Sequence, residues 1–391
     1  HGGGIGGAPV SLLKQLHALD PAEFRATAIF TEPGPIVSYA RDLGVNVGVV
    51  PTGGALFYSA HARLGPRSLA HFVRTFPRAV RTARATLRQH RPDLVHLNTS
   101  VLLAWAAAAR RERVPTVWVV REVLGPNPWL RRWQATFILR HARQVVAISD
   151  AVCACFPPGA RILRVYNAVD LAEFRLDLLA QASAVRSELG LAADAHVVMA
   201  IGAVQRPKGH WLLVEALSRM PDSVHLVLLT GGADEAYARS LRGRLKRVLN
   251  LPLDNLDTLL RQARERGLAH RIHVTGFRTD VARVLAAADV LAFPSLEPEG
   301  FGRPIIEAMA LARPVVATDV GPSAELLGTE AGRLVPTDAA RLANALTDLL
   351  SSPEERWRMG RAGRARVEAC FTLERQLAEM SAVYRRAAAS A

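Results

Sequence analysis

Cysteine is scarce: Cys153, Cys155 and Cys370 are the only three in 391 residues. An odd number with no C-x-x-C pair points to neither a disulfide framework nor a zinc site, and fits a reducing cytoplasm. Long apolar runs are missing too. The longest, VLLAWAAAA at 101–109, falls short of the roughly 18–20 residues that cross a bilayer, so it is expected as a buried helix. No signal peptide, short-period repeat or low-complexity tract is legible, and no nucleic-acid module, so a nucleic-acid partner is not expected. The absence of a D-x-D motif or a His/carboxylate cluster leaves no metal expectation. No side chain is placed like the nucleophile of a double-displacement glycosidase. Acidic residues are outnumbered, 35 against 49 Lys and Arg, which leaves a net charge of +14. That excess reads either as an anionic partner, such as a membrane surface or a phosphorylated substrate, or as a composition that writes Arg wherever a surface cation will serve. Position 1 is His rather than Met, so the expectation is a fragment lacking its first strand.

What is present is alternation. Short apolar runs recur along the chain: ATAIF, VNVGVV, LVHL, TVWVV, QVVAIS and ILRVYN, then HVVMAIG, VHLVLLTG, RIHVTG, VLAFPS and PVVATD. Helical patterns such as WLLVEALSRM and ARLANALTDLL separate them, which is the signature of parallel α/β units. The length exceeds what one core supports. The expected organisation is two Rossmann-like domains, 1–168 and 169–370, facing across a cleft, with a C-terminal helix in 371–391 packing back on the first. Ligands of such sheets sit outside the carboxyl ends of the strands. The stretch 245–268 is expected as inserted helix.

Two glycine-rich stretches invite a ligand. HGGGIGG fits G-x-G-x-x-G at Gly2, Gly4 and Gly7, SLLKQLHAL supplies the helix after it, and Glu32 ends the next apolar run. The strand that should precede such a fingerprint is absent, so it does not by itself specify a dinucleotide. The second stretch is SLEPEGFGRPIIEAMALARPVVATDVG, 295–321. Here a strand ends, Gly300 and Gly302 open a turn, and Arg303-Pro304 starts a helix whose free amides form an anion site. Glu299 and Glu307 flank that turn at eight-residue spacing. Two carboxylates around an anion site suit a ligand that carries both phosphates and hydroxyls.

The run E-G-F-G-x-x-x-x-E-A-M-A followed by P-V-V-A-T resembles the signature of the family-4 retaining glycosyltransferases, which have the GT-B fold. RPDLVHLN, VAISDAV, VYNAVDLAEF, IGAVQRPKG, RIHVTGF, AAADVLAFPS and GRLVPTDAARLANAL follow in the family's order, so the resemblance covers nearly the whole chain. It implies that Glu307 holds the ribose hydroxyls of a UDP- or GDP-linked sugar donor, and that Glu299 contacts the transferred sugar with the amides of Phe301 and Gly302. Lys208, with Gly202 at the head of its loop, would neutralise the departing diphosphate. Gly276 and Phe277 fall where the family packs the base. Gly4, Gly6 and Gly7 would form the loop that approaches the diphosphate and acceptor. The implied reaction is a metal-independent, front-face retaining hexosyl transfer with no cofactor beyond the donor.

Some positions depart from the family. Ala203 stands where it has G-R, leaving Arg206 as the candidate guanidinium. Arg121-Glu122 replaces a frequent His after TVWVV. Asn167-Ala168-Val169-Asp170 and ALARPVV each lose a glycine. His96 is expected to be structural. Arg74, Arg78, Arg81, Arg84 and Arg88 share one helical face opposite Phe72, Phe76, Ala79, Val80, Ala83 and Leu87, with Pro77 expected in the first turn. NPWLRRWQATFILRHAR, 127–143, adds Trp129 and Trp133 among arginines. Either stretch suits an anionic membrane surface, and either also suits a solvated helix face. The sequence therefore reads as a cytoplasmic glycosyltransferase of polysaccharide assembly, peripheral on the inner face of a membrane and acting on a glycan or lipid-linked acceptor. The alternatives are an epimerase-like enzyme of the same fold and a catalytically silent sugar-nucleotide-binding protein.

Overall fold

A computed structural model describes residues 4, 6–52, 65–230 and 255–389. Each of the alternating apolar runs forms a strand, and the chain divides into two compact units. Unit 1 comprises 1–168, 298–301 and 371–391; unit 2 comprises 169–297 and 302–370.

Unit 1 begins with helix α1 (Gly7–His17), strand β1 (Thr27–Phe30), α2 (Pro35–Asp42) and β2 (Asn46–Val49). β1 and β2 pair in parallel. Leu13, Phe30, Ile36, Val37 and Val45 form the core between them. Then follow α3 (Pro66–His90), β3 (Val95–Leu97), α4 (Leu103–Arg111), β4 (Thr116–Val120), α5 (Pro128–His141), β5 (Gln144–Ala147), α6 (Asp150–Cys153) and β6 (Ile162–Arg164). β3 to β6 make a four-stranded parallel sheet in sequence order. Every residue of β4 is buried, as is every residue of α4 from Leu103 to Ala109. Continuous apolar runs are what a parallel sheet covered by helices requires.

Helix α3 starts earlier than expected. Pro66 takes the first-turn position, and Pro77 lies in the interior, on the solvent side. There its missing N–H leaves the Val73 carbonyl without a helical donor, a loss that water can make good at an exposed position. Only from Ala79 onward does the helix bury side chains; Phe72 and Phe76 pack on each other with centroids 5.0 Å apart.

Unit 2 holds α7 (Ala182–Glu188), β7 (His196–Ile201), α8 (His210–Leu217), β8 (Val224–Leu229), α9 (Asn255–Glu265), β9 (Ile272–Val274), α10 (Val281–Leu285), β10 (Val290–Phe293), α11 (Arg303–Ala310), β11 (Val315–Thr318), α12 (Ser323–Leu327), β12 (Gly332–Val335), α13 (Ala339–Leu350) and α14 (Pro353–Cys370). Its six parallel strands are ordered β12-β11-β10-β7-β8-β9, a doubly wound sheet. The core packs Val198, Leu213, Leu217, Leu226 and Leu228 against Leu342, Leu346 and Leu349. Of the stretch 245–268, the part from Asn255 is helical as expected, and 245–254 lies outside the described residues. Helix α15 (Leu373–Ala389) belongs to unit 1. There Gln15 Nε2 donates to Tyr384 Oη at 2.7 Å, Gln376 Nε2 donates to the Tyr166 carbonyl at 2.8 Å, and Arg385 pairs with Glu23.

Candidate active site

In unit 2 the winding reverses between β10 and β7, and ligands of open parallel sheets lie outside the strands' carboxyl ends at such a reversal. Two loops flank it, one after β7 and one after β10. Gly202 leaves β7 at φ 128°, and a Cβ there would meet the Lys208 Cδ at 3.8 Å, so the lysine stem passes beside the glycine. A 3-10 helix, Arg206–Lys208, follows and ends at Gly209, φ 69°. A Cβ on Gly209 would lie 1.7 Å from the Pro294 carbonyl oxygen, which excludes every other residue. The loops are then fastened to each other. The Leu296 amide donates to the Pro207 carbonyl at 2.7 Å, and Ser295 Oγ donates to the same oxygen at 3.3 Å. Lys208 and the β10 loop are thus brought together. Gly209 and Ser295, which bring them, were not singled out in the sequence; the glycine directly after the lysine was the signal.

The β10 loop feeds α11 through Gly302, whose φ is 151°. A Cβ there would meet the Cδ1 atoms of Ile305 and Leu326, each at 3.2 Å. Glu307, one turn into α11, is 6% exposed, and its Oε1 accepts from Arg303 Nη2 at 2.6 Å. A buried carboxylate fixed through one oxygen is suited to accepting hydrogen bonds from hydroxyls. Arg206 is placed otherwise: its guanidinium lies 4.2 Å from the Trp211 ring centroid, a cation–π contact. Beyond β9, Gly276 has φ 74° and Phe277 is 64% exposed, an apolar ring held in solvent.

Residues 298–301, with Glu299 among them, belong to unit 1. Phe301 is buried, its ring 6.1 Å from that of Tyr166 and 6.2 Å from that of Phe371. A Cβ on Gly300 would lie 1.9 Å from the Arg121 carbonyl oxygen, and the Gly300 carbonyl accepts from Ser149 Oγ at 2.7 Å. The Arg121-Glu122 departure therefore forms a seat for this turn. Glu122 is fixed in its place by Thr99 Oγ1 and by the Ser100 amide at 3.0 Å.

Next to the seat runs a polar network. Arg121 Nε donates to Asn98 Oδ1 at 2.6 Å, Arg121 Nη1 donates to Asn167 Oδ1, and Asn98 Nδ2 donates to the Ala8 carbonyl at 3.4 Å. His96 Nε2 faces Asn98 Oδ1 at 3.3 Å and its Nδ1 faces Tyr384 Oη at 2.7 Å. Burial first, then the Arg121 charge, lower the His96 pKa to about 4, so the ring is neutral and structural. Of the opening glycines, Gly4, Gly6 and Gly7 are exposed, and Gly6 is the N-cap of α1; His1 and Gly2 lie outside the described residues.

The arginine face of α3 divides in two. Arg84 Nε and Arg88 Nε bind the two carboxylate oxygens of Glu112 at 2.6 and 2.8 Å, and the pair of guanidiniums, Arg88 foremost, holds the Glu112 carboxyl below the usual range. Arg74, Arg78 and Arg81 are exposed and make no ion pair among the described residues. On α5, Trp129, Trp133 and Phe137 follow at four-residue spacing with Arg132 and Arg140 beside them, lining an open groove of about 370 Å³. Trp129 is 83% exposed. Among the described residues no helix is long and apolar enough to cross a membrane.

Residues 5–173 match the family model described as Glycosyltransferase Family 4, and residues 195–352 match that described as Glycosyl transferases group 1. An MMP alpha-(1->4)-mannosyltransferase of Mycolicibacterium hassiacum is 39% identical over 130 residues, 32% of this chain and 31% of the relative. A D-inositol 3-phosphate glycosyltransferase of Mycobacterium tuberculosis is 32% identical over 253 residues, 63% of this chain and 47% of the relative. The chain thus spans less than half the length of these curated relatives. Among solved structures, Anabaena HepE in complex with UDP and glucose superposes with a TM-score of 0.78 at 24% identity, covering 98% of this chain and 97% of that one. The chain accordingly joins a Glycosyltransferase Family 4 domain to a Glycosyl transferases group 1 domain in a fold of the GT-B type.

Proposed function

We propose that the protein is a retaining glycosyltransferase that moves a hexosyl group from a nucleotide sugar to a hydroxyl of a glycan or lipid-linked acceptor. The observation that carries the reading is the reversal point of the unit 2 sheet, where the Lys208 loop is hydrogen-bonded to the loop that leads to buried Glu307. In this reading Glu307 accepts from the two ribose hydroxyls, the exposed ring of Phe277 with Gly276 packs against the base, and Lys208 and the N-terminus of α11 stabilise the diphosphate. Glu299 contacts the sugar along with the amides of Phe301 and Gly302, Gly202 lets the diphosphate approach the Lys208 loop, and Gly4, Gly6 and Gly7 leave room for the acceptor. The bond from the anomeric carbon to the phosphate oxygen breaks, the bond to the acceptor oxygen forms on the same face, and the acceptor proton passes to the leaving phosphate. Negative charge on the diphosphate grows along that path, so Lys208 acts most strongly at the transition state. Arg206, stacked on Trp211, would have to swing to add its charge. No metal has a role in this scheme.

The HepE complexes with UDP and UDP-glucose make UDP the first ligand to try. The exposed cations Arg74, Arg78 and Arg81 and the Trp129–Trp133 face support a peripheral place on an anionic membrane, at its cytoplasmic side. The test is calorimetric titration with UDP and GDP, followed by release of nucleoside diphosphate from UDP-glucose and GDP-mannose. Glu307→Ala should weaken nucleotide binding by roughly 10- to 100-fold, the equivalent of about one charge-assisted hydrogen bond. Lys208→Ala should lower kcat more than it raises KM. Unchanged nucleotide affinity in Glu307→Ala, or binding of neither nucleotide by the wild type, refutes the reading.

A further inference from the structure

We propose that Ser149 is a positioning residue for Glu299, acting through the single hydrogen bond that its hydroxyl donates to the Gly300 carbonyl. The inference rests on the role given to Glu299 above.

Ser149 follows β5 and is the N-cap of the short helix α6, where its Oγ accepts from the Val152 amide at 3.1 Å. A serine hydroxyl has two lone pairs and one proton. Capping α6 uses a lone pair, and any of Ser, Thr, Asp or Asn could do that. The proton is a separate matter. It goes to a carbonyl 151 residues away in sequence, at 2.7 Å, and the donor side chain is 0% exposed. Aspartate would cap the helix equally well but has no proton to give. The cap therefore does not account for the hydrogen bond that leaves it.

That bond fixes the carbonyl of the residue immediately after Glu299. Around it the freedom of the turn is already small. The Gly300 Cα rests against the Arg121 carbonyl, whose neighbour Glu122 is held by Thr99 and Ser100, and the Phe301 ring is packed between Tyr166 and Phe371. Rotation of the 300–301 peptide remains the motion by which Glu299 could shift along the chain without unpacking the ring. The Ser149 hydroxyl opposes that rotation. Glu307 and Lys208 belong to unit 2, whereas the 298–301 turn and the groups that hold it belong to unit 1.

The experiment uses the full chain and four variants: Ser149→Ala, Ser149→Thr, Gly300→Ala and Glu299→Ala. The readouts are kcat and KM for nucleoside-diphosphate release from UDP-glucose, the Kd for UDP, and the melting temperature. Ser149→Ala should lower kcat on the order of 10- to 100-fold, the cost of a catalytic group misplaced by about an ångström, with the Kd for UDP unchanged. Ser149→Thr, which retains cap and proton, should restore kcat. Gly300→Ala lifts the turn off Arg121 and leaves the α6 cap untouched, so it should reproduce the kcat loss and separate positioning from any general loosening of α6. If Glu299→Ala abolishes turnover while Ser149→Ala and Gly300→Ala keep wild-type kcat, the positioning role is overturned and the role of Glu299 stands. If Glu299→Ala turns over normally, both are overturned.

Discussion

His96 offers a quantitative test of the unit 1 core. Its ring is neutral in the folded protein because burial and the nearby Arg121 guanidinium lower its pKa from 6.5 to about 4. In the unfolded chain the imidazole is hydrated and titrates near its ordinary value. Between those two values the unfolded state binds a proton that the folded state refuses, so stability falls as pH falls. The contribution is fully present above about pH 6.5, declines below it and levels off below about pH 4, for a total of about 3 kcal/mol at ~1.4 kcal/mol per unit of pKa. Between pH 7.5 and pH 5 the loss due to His96 alone is about 2 kcal/mol by the same linkage. Burial also lowers the pKa values of His141, His225 and His273, which add slopes of the same sign, so the measurement must be a difference. His96→Gln supplies it. An amide can still donate to Asn98 and accept from Tyr384, and it does not titrate. Urea unfolding would be followed at both pH values by intrinsic fluorescence, to which fully buried Trp118 of the same unit contributes. The wild type should lose about 2 kcal/mol more than the variant on going to pH 5. Equal losses in the two proteins would mean that the His96 proton is not excluded by the fold, and the account of the network would be wrong.

Gly209→Ala should displace the Lys208 loop from Pro294, lowering both nucleotide affinity and turnover, with a melting temperature reduced by several degrees, as about 1–3 kcal/mol of overpacking would produce; an alanine variant with wild-type affinity would show that the loop does not depend on this contact. For the basic surface, Arg74, Arg78 and Arg81 all changed to Glu should release the protein from phosphatidylserine vesicles in co-sedimentation, each arginine contributing about 1 kcal/mol in the wild type. Arg84 and Arg88 already neutralise Glu112, so reversing those two should affect helix packing more than vesicle binding. Undiminished sedimentation of the triple variant would remove α3 as the contact, and failure of the wild type to sediment would remove the membrane from the scheme.

Periodicity and composition made the strands and the two-unit plan legible, because parallel strands buried on both faces write themselves as short continuous apolar runs. β12 escaped: only Val335 of Gly332–Val335 is buried, so its sequence lacks the apolar signal. Helix α3 was legible as an arginine stripe with an apolar back. That two of its arginines are paired with the one Glu112 carboxylate was not, since their partner lies 24 and 28 residues away, outside any helical period. The same limit applies to the candidate site. The E-G-F-G turn and the P-K-G loop stand out as local patterns, whereas the contact of Gly209 with Pro294 and that of Gly300 with Arg121 join residues remote in sequence. Only glycine fits either contact, yet a glycine in a sequence does not say what it is next to.

The chain is threaded so that unit 1 encloses unit 2 in sequence: its last piece, from Phe371, is made only after every residue of unit 2. Synthesis on a ribosome runs from the N-terminus, so order of appearance matters. When residue 168 has emerged, Gln15 and His96 still lack Tyr384, the Tyr166 carbonyl still lacks Gln376, and the seat formed by Ser149 and Arg121 is empty of Gly300. Unit 2 is one stretch, 169–370, apart from the loan of 298–301, so its six strands and the α13 leucines that pack on them are all made before Phe371. The half that is translated first is therefore the half completed last, and until α15 docks, the groups that it will bond and cover stay open to water, the form in which a nascent chain is most exposed to chaperones and proteases.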